Sequence, residues 1–345
     1  MSKRTKVRIA SILCAGVLVL TGSLSASAAQ SNTLERDRLM GEHMGQNYTS
    51  ISIDRYGNTA VDYVTGNLFL KLETPMQQFD LYYNSQDTQA DSIFGPGFAS
   101  RFQQNVRVYQ GSRGQTPTAN DVMVYQMEDG KRSFLDPRLT EEGELYWGET
   151  FPYGDCLRLE ANGYSIDRED TDFCQLYGPN GQLLQFAFRH LAYLETFDVQ
   201  YNAIDPNLVT DIYGSLDGME LRDYHLKYRD FNGPRAANLT MPDESISYDF
   251  RYDPIGRLIG FSGNSHGLET FTFVYEGDSS RILMMIDSSG IVTEFKYGFI
   301  NGMDKVSFVT VKDANGALLS QKQFFYEDGK TTITDLDGTV TVKTY

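Results

Sequence analysis

The stretch Tyr248-Asp249-Phe250-Arg251-Tyr252-Asp253-Pro254-Ile255-Gly256-Arg257-Leu258 decides the interpretation of this chain. Aromatic and charged residues alternate over its first five positions, with the period of two that side chains follow along a β-strand. The three rings therefore share one face, whereas Asp249 and Arg251 point to the other. The Asp-Pro-Ile-Gly segment that follows favours a turn, and a second strand begins near Leu258. The stretch predicts a β-hairpin with one aromatic face.

Strands that end on tyrosine recur through the second half of the chain. Six of these tyrosines stand 22 to 29 residues apart, and a seventh follows after 19. Each unit is therefore about one hairpin, and a hairpin cannot bury an aromatic face alone. A long twisted sheet of such hairpins must coil, close or pair with another sheet. The repeat tyrosines, to which we assign a structural role, are Tyr201, Tyr228, Tyr252, Tyr275, Tyr297, Tyr326 and Tyr345.

The pattern of period two begins near residue 59, where Leu68, Leu70 and Leu72 fall on one face. Turn-forming pairs such as Asn162-Gly163 interrupt it often. We predict an all-β fold, with a β-rich N-terminal domain followed by hairpin repeats that form a curled, spiralling sheet, open or closed. The predicted divisions are a signal peptide at 1–28, a polar leader or short surface helix at 29–58, the N-terminal domain at 59–162, and repeats at 163–345 that are degenerate first and clearer later.

Two sets of motifs make the chain resemble the Rhs/YD-repeat family. Residues 252–258 match the repeat unit Tyr-Asp-x-x-Gly-Arg-Leu, and residues 287–297 match its second half, Asp-x-x-Gly with an aromatic strand. Upstream, Thr65-Gly66-Asn67-Leu68, Tyr82-Tyr83-Asn84-Ser85 and Phe94-Gly95-Pro96-Gly97-Phe98 resemble the N-terminal domain that precedes Rhs repeats in secreted bacterial wall-associated and polymorphic-toxin proteins. The resemblance covers roughly residues 59–345.

The resemblance implies a spiralling sheet that forms a hollow shell. In bacterial members the shell commonly encloses a C-terminal toxin, which self-cleavage after the repeats releases. This sequence reaches Tyr345 without a toxin domain, so we expect a truncated gene, one piece of a split protein, or a small open scaffold. Asp253-Pro254-Ile255-Gly256 superficially resembles the family's cleavage motif, but it lies inside an ordinary repeat, where it predicts a hairpin turn.

Residues 1–28 have the three parts of a secretory signal peptide. Basic residues from Lys3 to Arg8 precede an apolar run from Ile9 to Leu20, and Ala28 ends a small-residue cleavage site. The run is too short to span a bilayer comfortably, and no membrane span is expected in the mature chain. We therefore expect a bacterial protein that is secreted or displayed on the cell surface.

The net charge of −16 limits the classes of partner. Signal cleavage removes basic residues and no acidic one, which makes the mature chain more acidic still. Such a chain is repelled by phosphate backbones and by anionic membrane surfaces. We expect no nucleic acid among its partners.

Cys156 and Cys174 remain after signal cleavage, and export permits a disulfide. Turns predicted at Asn162-Gly163 and Glu169-Asp170-Thr171 place the two cysteines on the first and third strands of a meander. Strands two apart in a sheet are about 9–10 Å apart, which is beyond the reach of a disulfide. We favour two small buried thiols, with a bridge as the alternative if the sheet curls.

No motif predicts catalysis, a metal site or a cofactor. The four histidines, at positions 43, 190, 225 and 266, lack metal-ligand spacing, and we expect His225 to be exposed. Asp313–Gly316 and Asp335–Gly338 lack the ligand set of a calcium loop and predict hairpin turns. An aromatic cluster at residues 146, 147 and 153 is of the type that stacks on sugars, although aromatics in strands usually belong to the core.

The leading hypothesis is a non-enzymatic exported β scaffold, the N-terminal part of an Rhs/YD-repeat surface or toxin-carrier shell. A carbohydrate-binding or adhesive extracellular module is the alternative, since the chain is exported and 13% aromatic. A secreted hydrolase is the second alternative, because two carboxylates facing each other in a cleft suffice for glycoside hydrolysis. The expected partner is a downstream chain or cargo that completes the shell, and a glycan is the alternative partner.

Overall fold

A computed structural model describes the part of the chain in which the sheets lie. It covers residues 50–53, 59–72, 80–87, 92–110, 116–128, 130, 132–148, 156–167, 173–189, 193–241, 246–264 and 270–345. Several predictions fall outside these ranges: the signal peptide with Ala28, most of the polar leader, and the side chains at positions 43, 153, 190 and 266.

The described residues form 26 β-strands and one 3₁₀ turn at Arg101–Gln103, with no α-helix among them. The all-β prediction is confirmed. No helix in these ranges has the length and apolar character needed to cross a bilayer. The first thirteen strands are β1 Ser50–Ser52, β2 Thr59–Asp62, β3 Leu68–Leu72, β4 Leu81–Asn84, β5 Phe98–Ser100, β6 Asn105–Gln110, β7 Val122–Gln126, β8 Arg132–Leu139, β9 Leu145–Gly148, β10 Cys156–Glu160, β11 Gly163–Asp167, β12 Phe173–Tyr177 and β13 Leu183–Arg189. The remaining strands are β14 Leu194–Tyr201, β15 Val209–Leu216, β16 Met219–Asp230, β17 Pro234–Thr240, β18 Ser247–Tyr252, β19 Leu258–Gly263, β20 Thr270–Tyr275, β21 Ile282–Ile286, β22 Val292–Ile300, β23 Met303–Lys312, β24 Leu318–Glu327, β25 Lys330–Asp335 and β26 Val340–Thr344.

The strands form two antiparallel arrays in which each strand pairs with the next along the chain. Strands β1 to β5 make a small N-terminal sheet, and β6 to β26 make one long array. Strand β1 lies in the stretch assigned to the leader and pairs with β2. The predicted boundary at residue 162 lies inside the β10–β11 hairpin, where Glu160 pairs with Gly163. The array therefore passes from the predicted domain into the predicted repeats without a gap.

The long array curls until its first strand meets a later turn. Asn105 in β6 forms a bridge with Gln182, just before β13, and the Val106 N–H donates to the Gly181 carbonyl at 2.9 Å. Gly181 has a φ of +81°, and a side chain there would overlap the Val106 carbonyl oxygen, so this contact needs glycine. We call this contact the seam. The array meets itself at the seam, and strands β14 to β26 continue beyond it.

The aromatic face of the repeats lies inside, as the alternating pattern predicts. Phe250 and Phe273 are buried in the main core cluster, whereas Arg251 is exposed. The N-terminal sheet supplies the opposite layer over these hairpins. Phe94 packs on Phe250 with ring centroids 5.1 Å apart, and Phe98 packs on Phe273 at 5.7 Å. The repeats therefore bury their rings against the chain's own N-terminal sheet.

The two cysteines lie where the predicted meander places them. Cys156 in β10 and Cys174 in β12 are both opposite Asp167 in β11, so one whole strand separates them. No disulfide joins them, in agreement with the favoured alternative. Both are half-buried, rather than buried as predicted.

Candidate functional site

The repeat tyrosines stand at irregularities in the ladder of strands. The register shifts immediately before five of them, because an extra residue forms a β-bulge there. A bulge leaves backbone groups without their ladder partner. Opposite each bulge lies a buried aliphatic residue, for example Val209 opposite Tyr201 and Leu258 opposite Tyr252. The tyrosine at each bulge therefore faces a position where a backbone carbonyl is available.

Each of these carbonyls accepts a hydrogen bond from the tyrosine of the next repeat. Leu258, opposite Tyr252, accepts from Tyr275, and Ile282, opposite Tyr275, accepts from Tyr297. Six consecutive bonds follow this rule: Tyr201 to Leu183 at 2.7 Å, Tyr228 to Val209 at 2.6 Å, Tyr252 to Ala236 at 2.8 Å, Tyr275 to Leu258 at 2.5 Å, Tyr297 to Ile282 at 3.0 Å and Tyr326 to Val306 at 2.7 Å. We call these six residues the tyrosine row. Since each bond joins two repeats, the row fixes one hairpin to the one before it.

Burial keeps these hydroxyls protonated. It is the largest cause of the raised pKa at each member of the row, and it moves the pKa of Tyr275 and Tyr297 well above the usual 10.0. Nearby Arg257 and Arg281 favour the charged form, but the loss of water outweighs them. The row therefore consists of neutral hydrogen-bond donors.

The aspartates of the repeat form turns. The Asp253 carboxylate accepts from the N–H groups of Ile255 at 3.1 Å and Arg257 at 2.9 Å, and Gly256 adopts a φ of +84°. The carboxylates of Asp287 and Asp313 accept the equivalent N–H groups two and four residues ahead. The Asp313 loop is thus a hairpin turn, as its sequence predicts.

The arginine of the Gly-Arg-Leu unit connects the turn to the row. Its Nε lies 2.6 Å from the Asp253 carboxylate, and the Arg257 guanidinium lies 4.7 Å from the centre of the Tyr275 ring. Arg281 takes the same place over Tyr297 at 5.9 Å. This arrangement joins a charged turn to a buried ring by a cation–π contact. It explains why the turn motif and the tyrosine occur together in the sequence.

The N-terminal sheet docks on the same backbone positions. Three residues that accept from the row give their N–H groups to the N-terminal sheet and its loops: Ala236 to the Ile93 carbonyl at 2.8 Å, Ile282 to the Tyr83 hydroxyl at 3.1 Å, and Val306 to the Gly66 carbonyl at 2.8 Å. Tyr83 also donates its hydroxyl to the Ser280 carbonyl at 2.8 Å. The two arrays therefore meet at the backbone positions that lie opposite the bulges.

The residues singled out for chemistry have structural surroundings. Trp147 is fully buried and donates its Nε1–H to the Asp121 carbonyl at 2.9 Å, which places it in the core rather than on a sugar platform. Tyr146 is half-buried. His225 is part-buried rather than fully exposed, and its Nδ1 lies 2.6 Å from Asp211 on the neighbouring strand. Within the described ranges, no three His, Cys, Asp or Glu residues are grouped to hold a metal.

Tyr345 closes the series in a different setting. Its hydroxyl is 3.2 Å from the Glu327 carbonyl, and 48% of the residue is exposed. Strand β26 pairs with β25, which is its one ladder partner among the described strands. Val340 and Val342 in β26 are also exposed. The end of the array therefore presents both a strand edge and an apolar surface.

Sequence reasoning located the tyrosines but missed their partners. The carbonyls belong to small and aliphatic residues that carry no chemical motif: Leu183, Val209, Ala236, Leu258, Ile282 and Val306. One signal was present, because each follows its repeat's tyrosine across one turn, six to nine residues later. A register shift brings the next tyrosine hydroxyl within reach of each carbonyl. That shift depends on how two strands pair, which the local sequence does not specify.

Comparison with known proteins gives distant structural similarity only. No protein-family model matches the chain, and no curated protein matches it. Among solved structures, the Photorhabdus luminescens Tc holotoxin pore with a mutant TccC3 component is similar at a TM-score of 0.34 and 10% identity, over 85% of this chain and 17% of that one. The crystal structure of TcdB2-TccC3-TEV is similar at a TM-score of 0.31 and 11% identity, over 83% of this chain and 18% of that one. This chain thus spans about a sixth of those chains, and TM-scores this low assign neither family nor function.

Proposed function

We propose that this chain is a non-enzymatic exported β scaffold, a wall segment of an Rhs/YD-repeat type of shell. The observation that carries the proposal is the tyrosine row, in which six successive hydroxyls each bind the repeat before. Such an array extends by adding one hairpin and one bond at a time. The motif residues are occupied in holding it together, with Asp253 in a turn and Arg257 on a ring.

The proposed mechanism is mechanical. A sheet whose repeats are joined both by strand pairing and by side chains resists local opening, because one hairpin cannot swing out without breaking bonds to two neighbours. The N-terminal sheet covers the inner face of the middle hairpins. The exposed β26 end is where a further strand would pair, by β-augmentation. We assign that position to the downstream chain or cargo that completes the shell.

The test is the assembly state of the exported protein. The chain with its own signal is produced in its native host, and particles from the medium and the cell surface are sized by light scattering. We expect the exported chain in an assembly larger than one copy, whose mass including the signal peptide is 39.0 kDa. Val342→Lys on β26 should release it, whereas Val274→Lys, on an exposed valine in the middle of the array, should not. Mass spectrometry of the mature N-terminus tests cleavage after Ala28.

Two results would reject the scaffold. One is a monomer of wild-type chain in every fraction, with both valine variants unchanged. The other is turnover of a glycoside or ester substrate by the purified monomer, which would favour the hydrolase alternative. A variant that unfolds is recognised by its circular dichroism and replaced with Val340→Lys on the same strand.

A further inference from the structure

Five Asn-Gly pairs occur in this chain, and all of them lie at turns between strands. They are Asn162-Gly163, Asn180-Gly181, Asn232-Gly233, Asn301-Gly302 and Asn315-Gly316. The asparagine of such a pair is open to spontaneous deamidation, because glycine carries no side chain that shields its backbone nitrogen. All five asparagines are exposed, so exposure to water alone does not distinguish them.

Deamidation needs the backbone nitrogen of the glycine as a nucleophile. Hydroxide takes the proton of the glycine N–H, the nitrogen attacks the asparagine Cγ, and a new N–Cγ bond forms. The Cγ–Nδ2 bond then breaks, Nδ2 takes a proton from water, and ammonia leaves a cyclic succinimide. Water opens the ring at either carbonyl to give aspartate or isoaspartate. A glycine N–H that donates a hydrogen bond must lose that bond first, which slows the reaction.

Four of the five glycines are held in place by their surroundings. Three donate their own N–H: Gly181 to the Gly178 carbonyl at 2.8 Å, Gly233 to the Asp230 carboxylate at 2.9 Å, and Gly316 to the Asp313 carbonyl at 2.9 Å. Gly163 instead pairs with Glu160 at the start of β11, and a side chain there would overlap the Tyr177 carbonyl oxygen. These contacts should restrain the nitrogen in each of the four pairs.

Gly302 has neither kind of restraint. Ile300 pairs with Met303 across a two-residue turn, in which Asn301 has a φ of +53° and Gly302 a φ of +81°. Over the described ranges, no hydrogen bond from the Gly302 N–H is found, and a side chain on Gly302 would meet only its chain neighbours within 4 Å. Asn301 and Gly302 can therefore leave the turn conformation without breaking a contact of the reacting nitrogen.

We propose that Asn301 is a site of spontaneous deamidation in the folded protein. The aspartate product adds a negative charge three residues before Asp304, whose carboxylate pairs with Arg281. The isoaspartate product also adds one methylene to the main chain of a two-residue turn, so the pairing of Ile300 with Met303 should be lost. The inference does not depend on the scaffold function, because it follows from the five turns alone.

Peptide mapping by mass spectrometry of the full mature chain, followed over time in mildly alkaline buffer, tests the proposal. In the folded chain, Asn301 should deamidate about five- to tenfold faster than each of the other four asparagines, the ratio expected for one ordinary hydrogen bond. In guanidinium chloride, which removes the turns, the five rates should become similar. This comparison needs no variant.

Asp230→Ala tests the reason for the difference. It removes the acceptor of the Gly233 N–H on an exposed turn, so deamidation of Asn232 should become about five- to tenfold faster while that of Asn301 stays unchanged. Glu142→Ala, which removes an exposed carboxylate from another turn, is the matched control and should leave both rates as in wild type. Circular dichroism establishes that both variants are folded.

Two results overturn the proposal. One is a folded wild-type chain in which Asn301 reacts no faster than the other four asparagines, or in which guanidinium chloride leaves the order of the five rates unchanged. The other is an unchanged rate at Asn232 in folded Asp230→Ala, which would show that the hydrogen bond does not protect the pair. Neither result bears on the assembly state, so this proposal and the scaffold fail separately.

Discussion

Tyr275 and Tyr345 hold the same position in their repeats, yet their surroundings differ. Tyr275 is buried, its hydroxyl lies 2.5 Å from the Leu258 carbonyl, and Arg257 covers its ring. Tyr345 is about half exposed, and its hydroxyl is 3.2 Å from the Glu327 carbonyl. The residues around each tyrosine therefore decide how much the same sequence element contributes to stability. A repeat tyrosine stabilises the array when another hairpin and the N-terminal sheet remove it from water.

The comparison extends to the strands that carry these residues. Strand β20 pairs on both edges, with β19 and β21, and its inner face packs under Phe98. Strand β26 follows the same alternating pattern but pairs with β25 alone among the described strands. Stability should therefore fall along the array from the covered hairpins to the last one. Alkaline titration and urea denaturation measure that gradient in stability.

Alkaline pH should produce the largest effect, which is unfolding of the hairpins that the N-terminal sheet covers. Burial raises the pKa of the row and of Tyr83 above the value of 10.0 that a tyrosine has in the unfolded chain. The folded state therefore holds its phenolic protons more tightly, so these groups contribute full stability below about pH 10 and lose it as the pH rises further. We expect cooperative unfolding above pH 10 by circular dichroism.

Tyrosinate absorbance, followed in the same titration, distinguishes the two classes of tyrosine. The row and Tyr83 should ionise only in the step in which the β-structure is lost. Smooth ionisation of all tyrosines near pH 10, with the circular dichroism unchanged, would show that the row is open to water and would remove the contrast with the β26 end.

Tyr83→Phe should have the next largest effect, because Tyr83 joins the two arrays. Its hydroxyl donates to the Ser280 carbonyl and accepts from the Ile282 N–H, so its removal leaves one part-buried and one buried backbone group without that partner. Each such group costs about 1–3 kcal/mol, and we expect the free energy of unfolding to fall by about 2–4 kcal/mol. Urea denaturation measures it. Tyr213→Phe, at an exposed position, is the control and should change it by less than about 0.5 kcal/mol.

The smallest effects should come from substitutions of Tyr275 and Tyr345. Tyr275→Phe leaves the buried Leu258 carbonyl without its donor and should lower the free energy of unfolding by about 1–3 kcal/mol. Tyr345→Phe should lower it by less than about 0.5 kcal/mol, since water can replace a half-exposed hydroxyl. Equal losses in the two variants, measured by urea denaturation under the same conditions, would contradict the gradient.

The sequence predicted much of the fold because its signals are local. Alternation in 248–252 placed the rings inside, and the spacing of Cys156 and Cys174 placed them one strand apart. The Asp-x-x-Gly motif predicted turns through backbone conformations that a few residues specify. The seam had no such signal. It joins Gln182 to Asn105, residues far apart in the chain, and depends on how tightly the sheet curls.

The sequence by itself determined that this chain is a series of antiparallel hairpins with one aromatic face, because strand period and turn chemistry act over a few residues. Only the tertiary structure decided what covers that face and which carbonyl each tyrosine reaches. Those outcomes depend on register, bulges and curvature, which are cooperative properties of many strands packed together. Ala236 shows the difference: nothing in its side chain marks it, yet its backbone binds Tyr252 on one side and Ile93 on the other.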